Sequence, residues 1–142
     1  MTRVEAEMHK ISSWTLWTLS FQVMTSTLAE VAPRIRALGL EIKEFLLLTK
    51  LDGHPNPADL ARALLVPKPS VTFLVKRMEA AGYLKRELQT DDLRRFRLTL
   101  TASGRRAMES ARKIIDQEFG RRLSRLTQAQ RVELMRIFER MA

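Results

Sequence analysis

The sequence predicts a mainly α-helical fold with one small β-hairpin. Over most of the 142 residues, apolar side chains recur at the three- and four-residue steps of helices. Only residues 83–100 contain segments that alternate as strands do. Two short helices joined by a turn precede this segment, so the order is helix, turn, helix, strand, hairpin tip, strand. That order predicts a winged helix-turn-helix with a wing of two to three strands, flanked by N- and C-terminal helices.

A long N-terminal helix is predicted over Ile11–Val31. Pro33 is expected to end or bend this helix. After Gly39, a second apolar helix of about ten residues is expected to begin at Ile42. The first helix carries more apolar surface than one ordinary surface helix needs, so we expect part of it to contact a second chain.

Two short helices follow. Asn56 can cap the first of them and Pro57 suits its first position, which predicts a helix that ends before Pro67. The second is predicted over Lys68–Ala81, with Gly82 at its C-terminal end, where a residue is often required to take a positive φ.

The hairpin is predicted from strands at Tyr83–Leu88 and Phe96–Leu100, with a polar tip at Gln89–Arg95. Thr101 can cap a long helix over Ala102–Leu123. The last helix is expected after the capping box that begins at Thr127.

Composition and charge narrow the function classes. The net charge is +9, and residues 68–106 hold ten basic and four acidic side chains, whereas residues 1–67 hold seven of each. A basic excess confined to one segment is typical of a nucleic-acid-binding surface, although charge alone fits a basic soluble protein equally well.

Several other classes are disfavoured. The chain has no cysteine, which excludes disulfides and thiolate metal sites, and His9 and His54 alone cannot complete a usual zinc site. We therefore expect no metal and no cofactor. The sequence shows no catalytic motif, so we expect no enzyme. No apolar run reaches the ~18 residues of a membrane span, and the N-terminus does not resemble a secretion signal, so we expect a cytoplasmic protein without membrane contact.

The helix that begins at Lys68 has two faces. Val71, Leu74, Val75 and Met78 form a core face, and the remaining positions form a mixed, partly basic face that can enter a DNA major groove. The residues expected to contact DNA from this helix are Lys68, Pro69, Ser70, Thr72, Phe73, Lys76 and Arg77. An ordinary amphipathic helix with a solvated face is the alternative.

The hairpin tip is the second candidate element. Arg94 and Arg95 lie where a wing would reach the minor groove, whose negative potential attracts arginine. Asp92 can hold the Arg94 guanidinium by a charge-assisted pair. The alternative is a solvated, charged turn.

Several segments resemble one family of regulators. They are Asp92-x-Arg94, Leu100-Thr101-x-x-Gly104, Leu60-Ala61-Arg62, Pro69-Ser70-Val71-Thr72, Leu74-Val75-Lys76-Arg77-Met78-Glu79, Ala81-Gly82-Tyr83-Leu84 and Gly39-Leu40. Together they are similar to the wing signature and reading helices of MarR-family transcription regulators, and the resemblance covers nearly the whole chain. The chain departs from the family where Leu93 and Phe73 replace common arginines, and where Pro67 replaces a small polar cap.

The resemblance implies one MarR-like domain over residues 1–142. Residues 39–101 would form the DNA-binding lobe, and residues 5–33 and 102–142 a helical dimerisation region. It implies a homodimeric regulator of duplex DNA, expected to be a repressor that a small aromatic or phenolic ligand releases from a pseudo-palindromic operator. The residues expected at the dimer interface are Trp14, Trp17, Phe21, Leu134, Ile137 and Phe138; for the two tryptophans, an effector pocket is the alternative.

A second function stays open. Because of the departures at Pro67, Phe73 and Leu93, the chain could be a dimeric protein-interaction adaptor on a winged-helix scaffold, with DNA binding weakened or lost.

Overall fold

The computed structural model describes residues 2–8, 11–53, 56–89 and 92–142. Within these ranges it contains seven helices and one two-stranded antiparallel sheet. The elements are α1 (Arg3–Met8), α2 (Ser13–Arg36), α3 (Ile42–Lys50), α4 (Pro57–Leu64), α5 (Lys68–Ala80), β1 (Leu84–Gln89), β2 (Asp92–Leu100), α6 (Ala102–Leu123) and α7 (Gln128–Met141). The predicted mainly α-helical winged helix-turn-helix is confirmed, and its wing has two strands in the described part of the chain.

The chain divides into two compact units. One unit is Ala32–Gln117, and the other combines the described residues up to Val31 with Glu118–Ala142. The divisions fall inside α2 and α6, so each unit takes part of both long helices. The first unit holds the helix-turn-helix and the wing, and it extends beyond the predicted lobe of residues 39–101 at both ends.

Pro33 was expected to end or bend the N-terminal helix. The expectation that it ends the helix is wrong, because Pro33 lies inside α2, which continues to Arg36. Proline removes one backbone donor but its φ suits a helix. Because the helix continues, its last turn carries Ile35, which is completely buried. This burial offsets the missing hydrogen bond, and the chain turns only at Gly39, where φ is +78°.

The start of the N-terminal region also differs from the prediction. The Ser12 hydroxyl accepts a hydrogen bond from the Thr15 backbone N–H at 3.1 Å, so α2 begins at Ser13 rather than Ile11. The short helix α1 was not predicted.

The helices of the first unit form as the sequence predicts. The Asn56 side chain accepts the Asp59 backbone N–H at 2.9 Å, and Pro57 occupies the first turn of α4. Fully buried leucines from α3 and α4, among them Leu47, Leu48 and Leu60, supply much of the core beneath α5.

The second strand of the wing is longer than predicted, and the first is shifted by one residue. β1 ends at Gln89 and β2 begins at Asp92, so the predicted tip at Gln89–Arg95 is wrong in its bounds. Leu88 pairs with Phe96 and Gln89 with Asp92, so residues 93–95 of β2 bulge without a partner opposite them in β1. The alternation rule misses these residues because a bulge interrupts the two-residue period.

The wing joins α6 at a tight corner. The Thr101 hydroxyl donates to the Gly82 carbonyl at 2.5 Å and accepts the Gly104 N–H at 3.0 Å. The predicted cap at Thr101 is therefore confirmed, and so is the capping box in which Thr127 exchanges hydrogen bonds with Gln130.

Candidate nucleic-acid interface

The two predicted faces of α5 are present. Val71, Leu74, Val75 and Met78 are buried, with at most 8% of any of these residues exposed. The predicted DNA-contacting residues of α5 are all exposed; they are Lys68, Pro69, Ser70, Thr72, Phe73, Lys76 and Arg77. The helix therefore turns one continuous polar, basic and aromatic face outward while its other face fixes it to the core.

The turn before α5 depends on a residue that the sequence reading did not single out. Leu65 ends α4 in the left-handed conformation, with φ 54° and ψ 42°, and the Val66 N–H donates to the Ala61 carbonyl at 3.2 Å. This closes α4 and turns the chain into α5. Leu65 itself is 92% exposed, so it occupies a strained conformation without burying its side chain.

The first turn of α5 has one free backbone donor. Pro67 precedes the helix in an extended conformation and provides no side-chain cap. The N–H groups of Ser70 and Val71 donate to the Pro67 carbonyl at 3.0 and 3.3 Å, which leaves the N–H of Lys68 without a partner inside the helix. An exposed lysine and serine lie at this positive helix end, an arrangement suited to phosphate.

An aromatic ring stands on the exposed face. Phe73 is 60% exposed, and the Arg77 guanidinium lies 5.9 Å from the centre of its ring. The Arg77 Nε also lies 3.5 Å from Oε2 of Glu44, a fully buried residue of α3. Sequence reasoning missed Glu44, although an acidic residue within an apolar helical run was a signal.

A second arginine links the wing to α5. The Arg86 Nε on β1 donates to the Glu79 carboxylate at 3.0 Å, and the Arg86 guanidinium lies 4.8 Å from the ring centre of Phe96 on β2. Arg86 therefore ties the last turn of α5 to both strands. Neither Arg86 nor Glu79 was singled out from sequence, because they are seven residues apart and meet only when the hairpin folds back.

Of the wing residues predicted to contact DNA, the structure describes only the backbone. Asp92, Arg94 and Arg95 lie on β2, in and beside its bulge. Their side chains lie outside what the structure describes, so the Asp92–Arg94 pair stays a prediction. His9 and His54 also lie outside the described residues.

The second unit presents a large apolar surface. Trp14, Trp17 and Phe21 stack along α2 with ring centres 5.3 and 5.2 Å apart, and each is more than half exposed. On α7, Ile137 and Phe138 are exposed and Leu134 is half-buried. A cleft of about 420 Å³ runs between these helices and α6, lined by Leu16, Leu19, Val23, Phe119, Leu134 and Phe138 among others.

Two arginines in the last turn of α6 have a structural explanation. Arg121 and Arg122 both pair with the buried Glu118 carboxylate, at 2.7 and 3.3 Å. The hydrogen bond from Arg121 lowers the pKa of Glu118, burial opposes this, and the charges of both arginines lower it further. Arg122 also donates to the Ser26 hydroxyl at 3.0 Å, which joins α6 to α2 within this unit.

Two kinds of feature are absent from the described residues. In that part of the chain no helix is long and apolar enough to cross a membrane. No group of three or more histidine, cysteine or acidic side chains is arranged there to hold a metal ion.

A recognition helix with one buried and one exposed face follows a short turn, and a two-stranded wing follows that helix. This arrangement defines a winged helix-turn-helix protein. The sequence profile of the MarR family matches residues 38–95. An HTH-type transcriptional repressor of Mycobacterium tuberculosis is 32% identical over 114 residues, which are 79% of this chain and 82% of that protein. The chain belongs to the MarR family, whose members are DNA-binding transcription regulators and not enzymes.

Solved structures agree with this assignment. A MarR-family protein of M. tuberculosis in complex with p-aminosalicylic acid is 30% identical with a TM-score of 0.74, and the match covers 89% of this chain and 97% of that one. The same M. tuberculosis protein in complex with DNA is 29% identical with a TM-score of 0.73, over the same shares of both chains.

Proposed function

We propose that this protein is a homodimeric transcriptional repressor that binds a pseudo-palindromic operator and is released from it by a small aromatic or phenolic ligand. One observation carries the proposal: α5 exposes a continuous basic and aromatic face, and the wing follows it directly in the same compact unit. In a dimer, two such helices would enter successive major grooves.

The proposal gives separate roles to the residues of the exposed face. Lys68 and Ser70, at the first turn of α5, bind phosphate and set the register of the helix. Thr72, Phe73 and Lys76 lie further along the same face, where they meet base edges, and the Phe73 ring suits a thymine methyl group. The Thr72 hydroxyl donates to the Lys68 carbonyl at 3.2 Å, so it meets DNA as an acceptor.

The wing adds a second contact. Arg94 and Arg95 enter the minor groove, and Asp92 orients Arg94. The net excess of basic residues in 68–106 supports this role for the segment as a whole.

Dimerisation is assigned to residues 5–33 and 102–142. Support comes from the exposed aromatic stack of Trp14, Trp17 and Phe21, and from α7, which has no buried residue in this single chain. Monomers rarely leave so much apolar surface in contact with water. A second copy that covers α2 and α7 would remove it.

The sign of regulation and the ligand follow the relatives. The M. tuberculosis relative is named a repressor, and solved structures of that protein contain DNA in one case and p-aminosalicylic acid in another. An aromatic acid of that kind is therefore the first effector to test. As a DNA-binding regulator the protein would act in the cytoplasm.

The test is to mix the purified protein with fragments of its host genome, recover those retained at near-physiological salt, and sequence them. A shared inverted repeat with half-sites about one helical turn apart supports the proposal. Binding should weaken steeply with salt, and salicylate-like acids should release the fragment. A random sample of fragments, retained by a stable dimer, would instead favour the adaptor.

The dimer has its own test. Phe21→Glu and Phe138→Glu should each give monomers by sedimentation, because a buried charge would enter the interface. Leu88→Glu is the control, since Leu88 is an apolar residue of the wing that is 67% exposed, more than Phe21 or Phe138, and this change should leave the dimer intact. Dimers from both interface variants would contradict this assignment.

A further inference from the structure

Glu44 is an acidic side chain buried beneath the reading helix. It lies on α3 and has no exposed surface. Its Oε1 accepts the Glu41 backbone N–H at 2.8 Å, which completes the cap of α3, whereas its Oε2 is buried without a hydrogen bond. A buried carboxylate in this state requires a nearby cation.

Arg77 is the only cation paired with Glu44 in the described part of the chain. The Arg77 Nε lies 3.5 Å from Oε2, beyond a good hydrogen bond but close enough for strong attraction away from water. Arg77 is half exposed, so its guanidinium lies at the boundary between the core and the exposed face of α5. The attraction draws it toward α3 and away from solvent.

Phe73 lies one helical turn before Arg77. The guanidinium is 5.9 Å from the ring centre, within the range of a cation–π contact, and the ring remains 60% exposed. The three side chains therefore form a series from the core to the surface: a buried carboxylate, a guanidinium and an exposed ring.

We infer that Arg77 is a positioning residue, which Glu44 holds against the Phe73 ring so that Phe73, and not Arg77, meets the DNA. This inference rests on the proposed DNA-binding function. It reassigns Arg77 from the DNA contacts expected from sequence to a role in selectivity. A fixed ring discriminates between bases better than a mobile one, because the wrong site cannot be accommodated by a change of rotamer.

The experiment compares affinity for the recovered operator and for an unrelated duplex over a range of salt concentrations. Arg77→Met should leave the slope of log affinity against log salt unchanged, because no phosphate contact is lost. It should lower the ratio of specific to non-specific affinity by about tenfold, the effect of one impaired base contact. Lys68→Met is the matched control, and should reduce the slope by about one.

Two more variants test the coupling itself. Glu44→Gln keeps the hydrogen-bond acceptor for the cap and the shape of the side chain but releases Arg77. It should therefore lower the ratio of specific to non-specific affinity as Arg77→Met does. The double variant with both changes should have a ratio no lower than that of either single variant. Arg77→Lys keeps the charge but loses the planar guanidinium, so it should resemble Arg77→Met. Circular dichroism of each variant checks that it is folded. If Glu44→Gln does not fold, Arg77→Lys is the variant that tests the role of the guanidinium.

Three results would overturn the inference. A slope reduced by about one in Arg77→Met would make Arg77 a phosphate contact. An unchanged ratio in Arg77→Met would remove its role in selectivity, and additive losses in the double variant would separate it from Glu44. Failure of the proposed function looks different, because the wild-type protein would then show no operator preference at all.

Discussion

A β-carbon placed on Gly104 would lie 1.8 Å from the backbone carbonyl oxygen of Tyr83. That carbonyl also accepts the Thr101 N–H at 3.1 Å, so it is fixed where the wing joins α6. Geometry therefore explains the Leu-Thr-x-x-Gly segment. Thr101 closes the corner, and Gly104 lets the first turn of α6 approach Tyr83, which lies between α5 and β1.

Gly104→Ala should destabilise the protein by about 3 kcal/mol or more, because backbone, and not a flexible side chain, occupies the space of the new methyl group. Gly120→Ala is the control, since Gly120 lies in the same helix and nothing lies within 4 Å of its added carbon. That change should stabilise α6 by up to ~1 kcal/mol. Urea unfolding at fixed protein concentration measures both, and a Gly104→Ala protein as stable as the wild type would show that the corner tolerates a side chain.

Leu65→Asn should stabilise the protein by up to ~1 kcal/mol. Asparagine adopts the left-handed conformation more readily than leucine, and no burial is lost because Leu65 is 92% exposed. Leu64→Asn, one residue earlier in right-handed helix and half-buried, should destabilise. If Leu65→Asn lowers the urea midpoint, the leucine packs against something that this single chain does not contain, such as a second copy.

The contact of Arg86 with Glu79 should contribute little to stability and more to the position of the wing. Both side chains are more than a third exposed, so a double-mutant cycle with Arg86→Met and Glu79→Gln should give a coupling of about 0.5 kcal/mol. If the wing binds the minor groove as proposed, Arg86→Met should weaken binding to DNA, and Arg94→Ala should do the same, because both changes weaken the contact of the wing with the groove. A coupling above about 2 kcal/mol would instead make the pair a main support of the fold.

Features with a local cause could be predicted from the sequence. The caps at Asn56 and Thr127, and the positive φ of Gly82, depend on residues only a few positions away. The buried face of α5 follows from its period alone. Pro33 was misjudged because burial of Ile35, a tertiary effect, outweighs a lost hydrogen bond.

The candidate site also combines features with a local cause and features that depend on tertiary packing. The exposed face of α5 could be predicted because it is the complement of an apolar stripe. The contacts that orient this face could not, because Glu44 and Arg77 are 33 positions apart along the chain and meet only after α3 and α5 pack. The bulge at 93–95 was missed for a related reason, since one strand alone carries no record of its partner's register.

Glu118 should give the second unit a stability that depends on pH. Its pKa is lowered from 4.5, mainly by the Arg121 hydrogen bond, so the unfolded chain takes up this proton before the folded chain does as the pH falls. The stabilisation is therefore fully present above pH 4.5 and is lost as the pH falls through the lowered pKa of the folded protein.

Glu118→Gln should lower the urea midpoint at neutral pH, and the difference in midpoint from wild type should narrow below pH 4.5. Glu133→Gln removes the same charge from an exposed position on α7 and corrects for the change in net charge. A difference between wild type and Glu118→Gln that stayed constant across this range would mean that packing of the side chain, and not its paired charge, stabilises the unit.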